Sequence, residues 1–255
     1  VALKRSIHFG LNRLDPKRYA GFTGDLLAAE NDASGLAAIF AAAGYVAASV
    51  LTRNATLANA RDVFVNAANQ SRPGDIFVFS FSGHGSQLPG DEPDGTDETL
   101  CFYDGQLRDK DLREWLARFQ TGVNVLIIID ACHSGGMDRA AASGPRVRAL
   151  PDGVAARLVE LPDGPRVRAQ PRCHLGWMLA CAEDQVALDG EHFGAWTGAL
   201  IESAQKLTES FKQRAVTVLE WYSAAARMIR LPQGREQTPQ LRSEGWAIND
   251  ARIFE

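Results

Sequence analysis

The sequence predicts an α/β protein with a mostly parallel central sheet and helices on both faces. Three observations lead there. Residues 75–81 (DIFVFSF) and 123–129 (VNVLIII) are apolar runs without alternation, the pattern of strands covered on both sides. Stretches of helical periodicity lie between such runs, which is how a chain delivers parallel strands. A 255-residue chain with 45% AVILMFWYC and 23% charged residues is long and apolar enough to bury a large core without staples.

The elements follow in order. Residues 6–10 read as a short strand that enters a loop over 12–24. Asn31 or Asp32 is placed to cap a helix in which Leu36, Ile39 and Phe40 recur at helical spacing, and Gly44 ends it. A strand over 45–51 precedes a second helix that starts within 52–56 and runs to 69. Pro73-Gly74 turns the chain into the 75–81 strand, which ends at Ser82-Gly83-His84-Gly85. Residues 91–111 carry eight acidic side chains against two basic ones, with a short strand at 99–103; Asp109 or Asp111 starts a helix to 119. The 123–129 strand ends at Asp130-Ala131-Cys132-His133-Ser134-Gly135-Gly136. Residues 139–172 change character, with seven arginines, three acidic residues and Pro-Asp-Gly turns. So long a connection predicts a flexible flap or a site of nicking. A strand over 174–181, a loop over 182–193, helices over 195–206 and 216–230, and an irregular tail from 231 complete one domain over 1–255.

Charge and cysteine content narrow the function. A net charge of −4 and a pI near 5.8 give no basic field for nucleic acid, and no nucleic-acid motif occurs. No 18-residue apolar run points to a membrane. Cys101, Cys132, Cys173 and Cys181 form no CxxC pair, so reduced thiols in the cytoplasm are expected.

His84 and Cys132 each follow an apolar strand of a parallel sheet, at the edge where such sheets bind ligands. A thiol beside an imidazole is partly thiolate and attacks acyl carbons, and the imidazole hands a proton to the leaving amine. The N–H groups of Gly85 and Cys132 are candidates for the oxyanion hole. His133 competes for the base role, but its adjacency to the thiol turns it away. Cys173 and Cys181 read as structural.

The segments FSFSGHGSQ (79–87) and IIIDACHSGG (127–136) resemble the histidine and cysteine blocks of the caspase-like cysteine peptidases, most of all the metacaspases and the prokaryotic orthocaspases. The resemblance extends over about residues 5–205, through GDLLAAENDASGLAAIFAAAGY, DEPDGTDETL and LACAEDQVALDGEHFGAWTGAL. It implies a caspase-like three-layer sandwich and a Cys132–His84 endopeptidase that cuts protein or peptide substrates after arginine or lysine. Asp130, two residues before the nucleophile, can hold a guanidinium at the base of a pocket; Asp25 and Ser82 match further pocket positions. Plainer roles stay open for all three: a structural carboxylate, a surface aspartate and a turn residue. Asp97, Asp109 and Asp138 match carboxylates of a family calcium site, yet Lys110 stands where another carboxylate is expected and its ammonium opposes a cation. No cofactor is required on this reading, and calcium stays open beside a solvated acidic loop or one paired with the basic segment. Arg146, Arg148, Arg166 and Arg168 are candidate self-cleavage sites of a zymogen. The loop around Glu183, Asp184 and Asp189 resembles a family segment near the cleft, and the metacaspase likeness implies a monomer. The competing readings are a caspase-fold regulatory protein without turnover and a peptidase of different primary specificity.

Overall fold

The computed structural model describes residues 2–90, 95–132, 146–151, 154, 170–210 and 214–254. Strand β1 (Lys4–Gly10), helix α1 (Ala29–Ala42), β2 (Val46–Leu51), α2 (Leu57–Gln70) and β3 (Ile76–Ser82) form the first half. Then come β4 (Gly85–Pro89), β5 (Thr96–Phe102), β6 (Gly105–Arg108), α3 (Asp109–Leu116) and β7 (Asn124–Asp130). The chain closes with β8 (His174–Leu179), α4 (Ala195–Ser210), β9 (Val216–Thr217), α5 (Val218–Met228), β10 (Gln240–Glu244) and β11 (Arg252–Phe254).

The main sheet has the order β10-β8-β7-β3-β1-β2, parallel throughout except for β10. Helices α1, α4 and α5 cover one face, where Leu36, Phe40, Val78, Ile128, Leu200 and Trp221 are buried together. Helices α2 and α3 cover the other, over Phe64, Phe77, Phe79, Trp115, Phe119 and Ile127. Alternate residues of β3 and β7 therefore enter different cores, which is why both strands read as unbroken apolar runs.

Local chemistry sets several boundaries. The Thr56 hydroxyl accepts from the Asn59 N–H and caps α2, and Thr217 with Glu220 forms a reciprocal capping box on α5. Gly44, at φ +81°, ends the α1 region in a conformation that costs a side-chain-bearing residue dearly. Three expectations need correction. Helix α1 starts at Ala29 rather than after a side-chain cap at Asn31 or Asp32; in its first turn the Glu30 N–H donates to Asn12 Oδ1 (3.1 Å), and the Asp189 carboxylate accepts from Leu27 N (2.7 Å) and Ala28 N (3.3 Å) just before the helix. The 99–103 strand is the middle of a small antiparallel sheet β4-β5-β6. The tail is not irregular: β10 adds to the β8 edge and β11 pairs with β9, because their partners lie far away in sequence and no local pattern announces them.

The register fixes the site. Gly10 pairs with Ser82, and Ser82 with Asp130, so the carboxyl ends of β1, β3 and β7 finish level. Two residues past β3 comes His84, and two past β7 comes Cys132.

Candidate active site

The imidazole of His84 is held by its Nε2, which meets the Gly24 carbonyl at 3.0 Å; with Nε2 as the donor, Nδ1 is left for chemistry. Nδ1 is buried without a hydrogen-bond partner. Burial lowers the imidazole pKa to about 4, against the raising influence of the Gly24 carbonyl and of the Ala149 backbone, which stands outside hydrogen-bond geometry to the ring. A side chain at Gly24 would come within 2.9 Å of the ring, so the loop needs glycine there to close on the histidine.

Cys132 is fully buried, and its sulfur accepts from the Ala187 N–H at 3.0 Å. Burial pushes the thiol pKa up to about 12, with the Ala187 N–H lowering it only in part. This corrects the expectation of a partial thiolate: in this closed state the sulfur keeps its proton and His84 is neutral. All four cysteines are buried and free of disulfides.

What closes the site is a segment of the same chain. Residues Arg146 to Leu150 run through the cleft, bent at Arg148 and held by isolated bridges at Val147 and Ala149. The Arg148 N–H donates to the Ala187 carbonyl (3.1 Å) and the Asp189 N–H to the Arg146 carbonyl (2.9 Å), an antiparallel bridge centred on Val147 and Leu188. The Arg148 carbonyl oxygen accepts from Gly85 N (3.0 Å) and Cys132 N (3.1 Å) at once. These are the two N–H groups named above for an oxyanion, and they converge on one oxygen of one peptide bond. Gly85 has no alternative: a Cβ there would sit 1.7 Å from the Cys132 carbonyl oxygen.

The Arg148 side chain is completely buried in an acidic pocket. Its Nη2 donates to Asp32 Oδ2 (2.6 Å) and Asp189 Oδ1 (3.0 Å), and its Nη1 lies 3.2 Å from both the carbonyl and Oδ2 of Asp130. Asp130 also accepts from the N–H (3.0 Å) and hydroxyl (2.7 Å) of Thr197, so it has both the pocket and the structural position. Burial would lower the guanidinium pKa, but Asp130, Asp32 and Asp189 raise it, and the charge stays. Burial raises the Asp32 carboxyl to about 7, opposed by Arg148 and assisted by Asp130. Gly194 forms a wall; a Cβ on it would lie 2.6 Å from Nη2 and 2.7 Å from Asp130 Oδ2.

Other sequence expectations are placed differently. Asp25 is exposed and pairs with Arg13 at 2.9 Å, because it lies in the surface loop before α1; Asp32 and Asp189 occupy the pocket instead. Asp32 had a readable signal, since it shares the buried i, i+4, i+8 stripe of α1 with Leu36 and Phe40. Asp189 and Gly194 lie in the segment that resembles a family stretch near the cleft, a signal that pointed to the region without giving either residue its place in the pocket. Ser82 is buried at the end of β3, but the guanidinium bonds go to Asp32, Asp130 and Asp189. Arg146 is exposed and its carbonyl accepts from the Asp189 N–H, while Arg166, Arg168 and His133 lie outside the described residues.

Among the described residues, the buried carboxylate of the acidic loop is already paired with cations. The Asp97 carboxylate takes Lys110 Nζ at 2.7 Å and Arg108 Nη1 at 3.3 Å, contacts that are ionic in distance but off hydrogen-bond geometry. An ammonium thus stands where a divalent cation would need this carboxylate. Asp109 opens α3, and Asp138 lies outside the described residues.

The sequence profile of the caspase domain matches residues 14–246. The chain belongs to the caspase-domain family of cysteine peptidases. Metacaspase-8 of Arabidopsis thaliana is 36% identical over 85 residues, 31% of this chain and 22% of that protein. Metacaspase-1 of the same plant is 47% identical over 70 residues, 24% of this chain and 19% of that protein. The aligned part therefore spans about a fifth of the length of these curated relatives. The crystal structure of protein GSU0716 from Geobacter sulfurreducens superposes with a TM-score of 0.76 at 34% identity, over 94% of this chain and 93% of that chain.

Proposed function

We propose that the chain is a cysteine endopeptidase that cleaves after arginine, accepts lysine less well, and takes its own Arg148–Ala149 bond as first substrate. One observation carries this: the Arg148 carbonyl lies between Gly85 N and Cys132 N while its guanidinium fills a pocket of three carboxylates. Cys132 Sγ gives its proton to His84 Nδ1 and bonds to the Arg148 carbonyl carbon, and the two N–H groups bear the oxyanion. His84 passes the proton to the Ala149 nitrogen, the C–N bond breaks, and a thioester remains. Water, deprotonated by His84, then releases the Arg148 carboxylate and restores the thiol. The forked contacts to Asp32, Asp130 and Asp189 favour a planar guanidinium over the single point of an ammonium. Because Lys110 already neutralises Asp97, the reaction runs without calcium.

The test is hydrolysis of fluorogenic peptides ending in arginine, lysine or aspartate by the whole chain and by Cys132→Ala, with calcium and with a chelator, followed by intact-mass analysis. The expected result is cysteine-dependent cleavage after arginine, unchanged by calcium, and a cut between Arg148 and Ala149. An intact chain that folds but is silent on every peptide supports a regulatory caspase-fold protein, which the buried, protonated thiol would suit. Cleavage after aspartate would overturn the pocket assignment. Sedimentation checks the monomer that the metacaspase likeness implies.

A further inference from the structure

The geometry points to a second side-chain socket in this cleft, an apolar one that selects a large aliphatic residue at the second position beyond the cut bond. The inference rests on the reading of residues 146–150 as a bound substrate.

The backbone on the leaving side is held as firmly as on the arginine side. Gly85 donates its N–H to the Arg148 carbonyl and accepts, on its own carbonyl, the Leu150 N–H at 3.0 Å. This parallel bridge between Gly85 and Ala149 fixes where each following side chain points. Burial alternates along the segment. Arg146 is exposed, Val147 and Ala149 are half-buried, and Pro151 is exposed again. Only Arg148 and Leu150 are swallowed, at 0% and 1% exposure.

The two sockets differ in chemistry. Arg148 meets carboxylates, whereas Leu150 is buried as part of the large apolar core on the α2–α3 face of the sheet. A carboxylate set among these apolar side chains would be desolvated, and a serine would leave the socket unfilled. The same Gly85 carbonyl is available to any substrate backbone, so the preference applies to substrates in trans as well as to the chain's own segment.

The experiment uses the whole chain in two forms, Arg148→Ala and wild type after self-cleavage. Each is given an acylated Val-Arg aminocoumarin, which has no residue in the socket, and quenched peptides Val-Arg-Ala-Xaa-Pro with Xaa as Leu, Ser or Asp. We expect all arginyl substrates to be cut after arginine, with kcat/KM for Leu at least about tenfold above Ser and further above Asp, as expected for a closed apolar pocket. Equal rates for the three peptides, with the aminocoumarin turned over, would overturn the socket and leave the peptidase reading standing. No turnover of any arginyl substrate by either form would overturn both.

Discussion

Arg148 brings a full charge into a site where burial alone would lower its pKa, and the three surrounding carboxylates keep it there. Removing one partner from such a cluster is costly because like charges stay behind. In Arg148→Ala, Asp32, already raised to about 7 from a usual 3.8, loses the cation that lowers it. A carboxyl with a raised native pKa binds a proton that the unfolded chain releases, so its penalty is absent below the unfolded pKa and grows as pH rises through the native one. The stability difference between wild type and Arg148→Ala should therefore be small near pH 4 and largest above about 7, read from urea unfolding across that range. A difference independent of pH would mean the carboxylates do not feel the guanidinium. Gly194→Ala tests the same pocket by volume. Its methyl group overlaps both the guanidinium and Asp130, so kcat/KM on arginyl peptides should drop at least about tenfold.

Elements, in this fold, are tied together by single carboxylates. Asp189 sits in the loop between β8 and α4, yet it accepts from Leu27 N and Ala28 N just before α1 and from the guanidinium of Arg148. Asp189→Ala should thus cost about 1 to 3 kcal/mol of stability, as the loss of a charged hydrogen-bond acceptor does, and weaken arginine binding as well. Thermal melts and KM measured on one preparation would separate the two effects; an unchanged melt would remove the role of Asp189 in anchoring the chain before α1. The β10 strand seals β8, where Glu244 takes both Nη groups of Arg113 (3.0 and 3.2 Å) and the indole N–H of Trp177 (3.3 Å). Truncation after residue 231 should bare the β8 edge and yield insoluble protein, visible in the soluble fraction on expression. At this scale the parallel strands and the helices were legible because each has its own period or apolar run. The β4–β6 sheet and β10 were not, since short polar strands such as QLRSE gain their order only from a distant neighbour.

Across the molecule, two buried imidazoles couple folding to pH. His8, stacked on Phe40 and bonded through Nδ1 to Ser80 Oγ at 2.8 Å, has its pKa lowered by burial to about 3, and that of His84 falls to about 4. Below about pH 6.5 the unfolded chain protonates both rings while the native chain does not, and native Asp32 retains one proton that the unfolded chain gives up. The balance is about one proton in favour of the unfolded state. Stability should therefore fall on acidification between about pH 6 and 5. Urea denaturation at several pH values measures the slope, and a stability that rose on acidification would contradict the burial of these rings.

The sequence by itself determined the sheet, its two covered faces, and the delivery of His84 and Cys132 to one edge. Those follow from apolar runs and from the rule that parallel strands finish on the same side. It also held the conflict at Lys110, since a cation at a carboxylate cluster is visible in one dimension. Tertiary structure alone decided that Asp32 and Asp189, not Asp25, complete the arginine pocket with Asp130, and that Arg148, of four candidates, is the one inside it. The physical reason is that a pocket is made of groups from different elements meeting at one point. Asp32 comes from α1, Asp130 from β7 and Asp189 from a loop more than 150 residues after Asp32. Their shared purpose appears only when a single guanidinium satisfies all three.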